Sequence, residues 1–313
     1  MLALLGIALA HHDTAVAQVV PPSTPGWTGS RGPGLSFGLS YGVGSFARTL
    51  RGTHRWSSST GSIAVHTLTV ESRLQLGTGT GFRLSLPVGL TIAKGASDTM
   101  RAGPGDLALS VDQRIGPVSG RLGVSAPTGL YDPSPVLSVI DVSAEGGAVR
   151  LTTYDTRASL GTGAWTAVAG VDGRAFMGPV ATTVAVGGLL PIDDTPDGIR
   201  WGPTGTAAVE AEVSVHPRAR VGLGIDARHH GSDQMDTVDE DTGSPRVARF
   251  GARSAVGASL SVGVVPSARV RCEARAHLPV WQHVAGVQLV ESVSAGLSCR
   301  TTRPLPTKGG SAR

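Results

Sequence analysis

Arg101–Gly129 reads RAGPGDLALSVDQRIGPVSGRLGVSAPTG, a pair of strands written in strict alternation. From Leu107, one parity is Leu107, Leu109, Val111, Gln113 and Ile115, and the other is Ala108, Ser110, Asp112 and Arg114. After Gly116-Pro117-Val118 the alternation resumes, with Leu122 and Val124 set against Arg121, Gly123 and Ser125. Period two over roughly ten residues is the signal of a strand, not of a helix. A tight turn between two such runs, with aliphatics on one face and charges on the other, predicts a hairpin with lipid on one side and water on the other. A soluble sandwich hairpin alternates in the same way. The number and spacing of the other runs therefore decide the fold.

About twelve such runs can be counted between Leu35 and Cys299. The runs 35–46, 62–76 and 81–94 precede the hairpin, and 164–174, 179–190, 206–215, 218–228, 247–263, 268–280 and 287–299 follow it. The polar parity carries Glu71, Arg73, Arg83, Asp112, Arg114, Arg121, Glu210, Glu212, Arg218, Arg220, Asp226, Arg228, Arg249, Arg253, Arg269, Arg271, Glu273 and Arg275. Glu291 alone breaks the aliphatic parity of the last run. Long connections (47–61, 95–106, 129–163, 191–205, 229–246 and, much shorter, 281–286) alternate with short ones (77–80, 116–118, 175–178, 216–217, 264–267). Up-and-down outer-membrane barrels alternate in this way, with loops outside and turns in the periplasm, whereas a sandwich has no reason to.

Energetics fix which parity meets lipid. An Arg on the lipid face near the midplane costs about 2–4 kcal/mol. Reversing the parity would turn about a dozen Arg outward, a penalty on the order of tens of kcal/mol, which exceeds the ~5–15 kcal/mol by which a fold is stable. The charged residues above are thus expected to line the lumen. Tyr131, Trp165, Trp201 and Trp281 fall at or just beyond the strand ends assigned to the outer side and are expected as interfacial aromatics. The connection Leu130–Gly163 is the expected lid or plug.

Composition agrees. The chain holds 44 Gly in 313 residues, and only 16% of it is charged, against a usual ~25%. No apolar run reaches the ~18 residues of a membrane helix, so a membrane reading requires a barrel. The net charge of +4 is spread without a Lys/Arg cluster and there are 5 Phe, which argues against nucleic-acid binding. Residues 1–17 read as an export signal, with the apolar core Leu2–Ala10 and the small-x-small end Ala15-Val16-Ala17. Residues 18–34 form a Pro/Gly-rich lead-in, 35–299 the barrel, and 300–313 a flexible tail. Cys272 and Cys299 share the outward parity near the same end of adjacent strands, and an oxidising periplasm permits a bridge between them or leaves two free thiols.

No catalytic constellation emerges, and neither an enzyme nor a cofactor is expected. Gly77-Thr78-Gly79-Thr80-Gly81 matches a phosphate loop only in glycine content, and a turn is the better reading. His66 and His277 are expected as polar residues of the lumen. The acidic stretch Asp233–Asp241 has oxygens for a divalent cation, but its spacing fits a solvated loop better. Glu210 and Glu212 facing Arg218 and Arg220, and Glu273 among Arg269, Arg271 and Arg275, are expected as pairs that fill the lumen and hold register. The surplus of Arg gives a positive interior suited to anionic or polar solutes.

Gly103-Pro104-Gly105-Asp106-Leu107 and Ala126-Pro127-Thr128-Gly129, with the weaker Leu160-Gly161-Thr162-Gly163 and Pro279-Val280-Trp281 followed by Gly286-Val287-Gln288-Leu289, carry a resemblance. In order and spacing they resemble the outer-membrane transporter family named for the meta-cleavage pathway of phenol degradation, a porin-like β-barrel group, here with Ala126 where that family has Leu. The resemblance implies passage of small, hydrophobic or aromatic solutes and brings no catalytic residues. The expected partners are outer-membrane lipid, a small-molecule solute and the insertion machinery of a Gram-negative outer membrane. The rival expectation is a non-conducting structural or surface-interaction barrel sealed by charge pairs.

Overall fold

The computed structural model describes residues 33–55, 62–77, 79–94, 99–131, 137–142, 148–153, 160–238 and 245–305. The expected export segment and most of the lead-in lie outside the described residues. Eleven continuous strands build the main sheet: β1 (Gly34–Gly52), β2 (Ser62–Gln75), β3 (Thr80–Lys94), β4 (Leu107–Ile115), β5 (Val118–Ala126), β6 (Thr166–Met177), β7 (Val180–Pro191), β8 (Thr204–His216), β9 (Ala219–His230), β10 (Arg253–Ser267) and β11 (Val270–Pro304). Every neighbouring pair is antiparallel.

The last strand doubles back. Its first half pairs with β10, from Val270 opposite Ser267 to Val284 opposite Arg253. Its second half pairs with β1, ending with Pro304 opposite Gly34. Cys272 and Cys299 are bridged between the two halves, and the Thr302 N–H donates to the Arg269 carbonyl at 3.0 Å. β11 therefore supplies two staves, and the sheet closes as a barrel of 12 antiparallel strands. Closure gives every stave two neighbours and leaves no edge, the condition for crossing lipid without orphaned backbone groups.

One rim carries only tight turns and the other carries the long connections. At the turn rim, Gly116 (φ 62°) and Gly178 (φ 61°) take the left-handed conformation, which residues with a Cβ adopt only at a cost. Gly77 and Gly79 belong to this rim as well, where the Leu76 N–H donates to the Thr80 carbonyl at 2.7 Å, as the turn reading expects. At the loop rim, Thr99–Pro104 continues pairing along the upper part of β3. Ile199–Arg200, Asp233–Val238 and Pro245–Phe250 form a small separate sheet. In the connection Leu130–Gly163, Leu137–Val142 pairs with Ala148–Thr153, while 132–136, 143–147 and 154–159 lie outside the described residues.

Burial runs opposite to that of a soluble protein. Leu122 is 71% exposed and Leu223 65%, whereas Asp112 is 2% exposed and Arg83 6%. Aliphatic area in water costs about 25 cal/mol per Å², so a belt of this kind is stable only against hydrocarbon.

Three features correct the sequence expectations. The run 247–263 is not one strand: Gly251 (φ 80°) breaks it, leaving Pro245–Phe250 in the loop sheet and β10 in the wall. The barrel also runs past Cys299 to Pro304, so residues 300–304 are wall, not tail. Finally, the register between β1 and β11 shifts on both sides of Phe46, where Ala47 and Ser292 are skipped and the Ala47 N–H donates to Ser292 Oγ at 3.2 Å. This bulge turns Glu291 from the aliphatic parity to the charged one, which accounts for its place in the pattern.

Candidate functional site

The inner parity of β2 shows how the bore is built. From the loop rim downward it reads Ile63, Val65, Thr67, Thr69, Glu71 and Arg73, all buried. In the same direction β6 carries Thr166, Val168, Asp172 and Arg174, and β8 carries Thr204, Thr206, Glu210 and Glu212. Phe46 and Leu189 join the apolar upper wall. On this side the bore changes from apolar and hydroxyl side chains near the loop rim to ionic ones near the turn rim, because each strand's sequence changes in that order.

Next to the turn rim the charges form a belt. Asp112 sits at the centre of one group, with Arg73 Nη2 at 3.0 Å, Arg83 Nη2 at 3.3 Å and Arg121 Nε at 2.6 Å. Glu71 takes Arg83 Nε at 3.0 Å and Arg300 Nη2 at 3.2 Å. In a second group Arg174 pairs with Glu212, and Arg275 Nη2 reaches Glu210 at 2.7 Å and Glu273 at 3.2 Å, while the Ser261 hydroxyl donates to Glu210 at 2.8 Å. Higher up on the β9–β11 side, His277 lies between Asp226 (Nε2–Oδ1 3.0 Å) and Glu291 (Nδ1–Oε1 3.3 Å), and Arg228 Nε pairs with Asp226 at 2.8 Å. Some of these pairs join non-adjacent staves: Arg275 of β11 meets Glu210 of β8 across β9 and β10. Buried charges of this kind are stable only as a network, since stranding one costs several kcal/mol.

The residues expected in the lumen divide by place. Glu71, Arg73, Arg83, Asp112, Arg121, Glu210, Glu212, Asp226, Arg228, Glu273 and Arg275 join the networks above. Arg220, Arg253 and Arg271 are half-buried on the same parity. Arg114, Arg218 and Arg269 are corrections, because each is exposed at a turn; Arg114 Nε, for instance, donates to the Gly116 carbonyl at 3.0 Å. Arg249 is exposed in the loop sheet, opposite Gln234. His66 is a further correction: it shares the outward parity with Leu68 and hydrogen-bonds the hydroxyl of Tyr41 at 2.7 Å. Asp233 of the acidic stretch is buried, with Oδ1 accepting from the Gly202 N–H and meeting His230 Nε2, both at 2.8 Å, and residues 239–241 lie outside the described residues.

A second constellation, which sequence reasoning missed, unites three of the motifs that carried the resemblance. Asp106 Oδ1 accepts from the Gly129 N–H at 2.9 Å, and Oδ2 accepts from the Thr162 N–H at 2.7 Å and its hydroxyl at 2.6 Å. The Leu130 N–H donates to the Pro104 carbonyl at 3.0 Å, and the Leu160 N–H to the Leu130 carbonyl at 2.8 Å. Gly129 and Gly161 have to be glycines here, since a Cβ on Gly129 would lie 2.7 Å from the Gly105 carbonyl carbon. The four aromatics expected at the interface accordingly separate. Trp165 and Trp281 are exposed, whereas the Trp201 indole N–H donates to the Thr162 carbonyl at 2.8 Å and Tyr131 lies against Gly163.

The fold and this inside-out burial define the class, an outer-membrane β-barrel. Among solved structures the chain is similar to the COG4313 outer membrane channel from Pseudomonas putida F1, with 13% identity, 87% of this chain and 96% of that one covered, and a TM-score of 0.64. The translocator domain of autotransporter NalP from Neisseria meningitidis matches at 11% identity over 94% of this chain and 96% of that one, with a TM-score of 0.49. A TodX monoaromatic hydrocarbon channel mutant matches at 8% identity over 91% and 94%, with a TM-score of 0.43. No protein-family model matches the chain, and no curated protein does.

Proposed function

We propose that this protein is a channel of the Gram-negative outer membrane that passes small solutes of hydrophobic or aromatic character, and that it belongs with the phenol meta-cleavage transporters its motifs resemble. The observation that carries this is the axial division of the bore. A barrel that serves only as a scaffold is filled well enough by ion pairs, and has no need of an apolar, hydroxyl-lined upper half built from Phe46, Ile63, Val65, Val168 and Leu189. Such a wall suits a solute with little surface to hydrogen-bond. A fold shared with a COG4313 outer membrane channel is in line with the reading. The solute crosses lipid through the barrel, and the barrel reaches the membrane by way of the insertion machinery.

The sealed-barrel alternative draws on one specific observation, the pairs such as Arg275–Glu210 that join non-adjacent staves. Refolded full-length protein in liposomes separates the two readings. A channel gives swelling or single-channel current with small aromatic solutes; absence of passage for every solute tried would leave the sealed barrel.

A further inference from the structure

On the inner face of β2 and β3, above the ionic belt, three hydroxyls stand without a hydrogen-bond partner. Thr67, Thr69 and Thr91 are 2%, 1% and 2% exposed, and none of their Oγ1 atoms is engaged. They are neighbours: Thr67 faces Gly89 and Thr69 faces Pro87 across β2 and β3, and Thr91 faces Val65 on the same pair of strands. The alternation of these strands turns all three to the inner face, with Val65 level with Thr91, Ile63 beyond it toward the loop rim, and Glu71, Arg73 and Arg83 toward the turn rim. An orphaned buried hydroxyl costs about 1–3 kcal/mol, and three side by side would be eliminated from a wall that had only to pack. Valine fills the same space at no such cost.

We infer that these threonines are the hydrogen-bonding part of a solute site at mid-bore, and that its ligand is a compact apolar body bearing one carboxylate. This rests on the channel reading above and names the substrate class. The hydroxyls donate to the carboxylate oxygens, the apolar body lies against Ile63 and Val65, and the charge is balanced from below. There, among the described residues, four guanidinium groups (Arg73, Arg83, Arg121, Arg300) meet three carboxylates (Glu71, Asp112 and, diagonal to Arg121 on the next stave, Asp172), a local surplus of one positive charge. In a site shielded from water such an excess is screened less than at the surface. A cation meets repulsion there, an inorganic anion lacks the apolar contact, and a neutral ring gains nothing from the local surplus of positive charge.

Benzoate is the probe, compared with acetate, benzyl alcohol and benzylamine, and binding is read by calorimetry on the folded, detergent-solubilised full chain and by block of current in planar bilayers. Benzoate is expected to bind at least about tenfold more tightly than the other three. The triple variant Thr67→Val/Thr69→Val/Thr91→Val is expected to unfold no more readily than the native chain, because it removes orphaned groups, and to lose about tenfold in benzoate affinity, the effect of one or two hydrogen bonds. Unchanged benzoate binding by a folded triple variant overturns the site, and so does benzylamine binding as tightly as benzoate. Failure of passage and failure of the site are distinguishable. Benzoate binding without current refutes the conduit and keeps the site; current without preference for benzoate does the reverse.

Discussion

The two ends of the bore are held together by different physics. On the β1–β7 side the inner face toward the loop rim is Ile63, Val65, Val168, Leu189 and Phe46, held mainly by packing; toward the turn rim it is guanidinium and carboxylate, held by reciprocal charge. Packing contributes in small increments that neighbours share, and a lost methylene is partly absorbed. A buried ionic network is all-or-none, because each member is tolerated only while its partners remain. The ionic end is therefore the rigid, register-fixing end, and the apolar end is the one where a guest can replace wall contacts at low cost.

The sharpest way to break this comparison is at Asp112. Three arginines converge on it, and Asp112→Ala would leave Arg73, Arg83 and Arg121 buried around an empty centre. The expected loss is about 3–5 kcal/mol, read as a lower urea midpoint for loss of the compact form on unheated gels. Ile63→Val, at the other end, should lose only about 0.5–1.5 kcal/mol. Equal losses at the two sites would show that the belt is not a network. Gly257→Ala should fall between them. The new methyl would overlap His277 Nε2 and force the ring from its place between Asp226 and Glu291, an overpacking that costs about 1–3 kcal/mol and in the same step disturbs two ion pairs.

The ionic end was also the more legible in sequence, for the same reason. Alternation with period two assigns a face to each residue, and putting a dozen arginines on the lipid side is too costly to contemplate, so strand pattern and membrane class follow from Leu107–Ile115 and its counterparts. What could not be read is whatever interrupts the period. Gly251 looks like any strand glycine until its positive φ shows the chain leaving the wall, and Arg249 was misplaced on that account. The bulge at Ala47 and Ser292 has no composition signature, so Glu291 looked like an exception. Arg300 is hidden in the sequence because the aliphatic pattern fades at Cys299 although pairing with β1 continues. In the sequence Asp106 stands out only as part of a motif. Its role depends on Gly129 and on Thr162, 56 residues away, and no local pattern reports a contact at that range.

Asp106 sharpens the comparison from outside the bore. Asp106→Ala removes the acceptor of two backbone N–H groups and one hydroxyl, at about 1–3 kcal/mol for each buried group left unpaired. These bonds tie connecting segments to one another, so the effect should be local: amide exchange at Gly129 and Thr162 rises about tenfold or more while the urea midpoint of the barrel moves little. A collapse of the whole barrel would instead make this cluster part of the wall's cooperative unit.

The smallest effect is expected at an ion pair whose geometry is as good as any in the belt. Arg200 holds Asp194 with Nε–Oδ1 at 2.7 Å and Nη2–Oδ2 at 2.9 Å, but at the loop rim both side chains are open to solvent. The hydrogen bonds and charge of Arg200 hold the Asp194 carboxyl below its usual value. For an acid lowered in the folded state, the associated stabilisation is present above the ordinary carboxylate range and is lost as pH falls through the lowered value. Asp194→Asn should therefore flatten only that acid limb of local stability, measured as amide exchange around Ile199 and corrected for intrinsic rates. Salt near 1 M, where the screening length is about 3 Å, should erase most of the difference between native and variant. The same salt should leave the Asp112→Ala deficit largely intact, because ions do not enter a buried network. If salt removed both differences alike, the belt would have to be open to water throughout, and neither its rigidity nor its excess charge could act as argued.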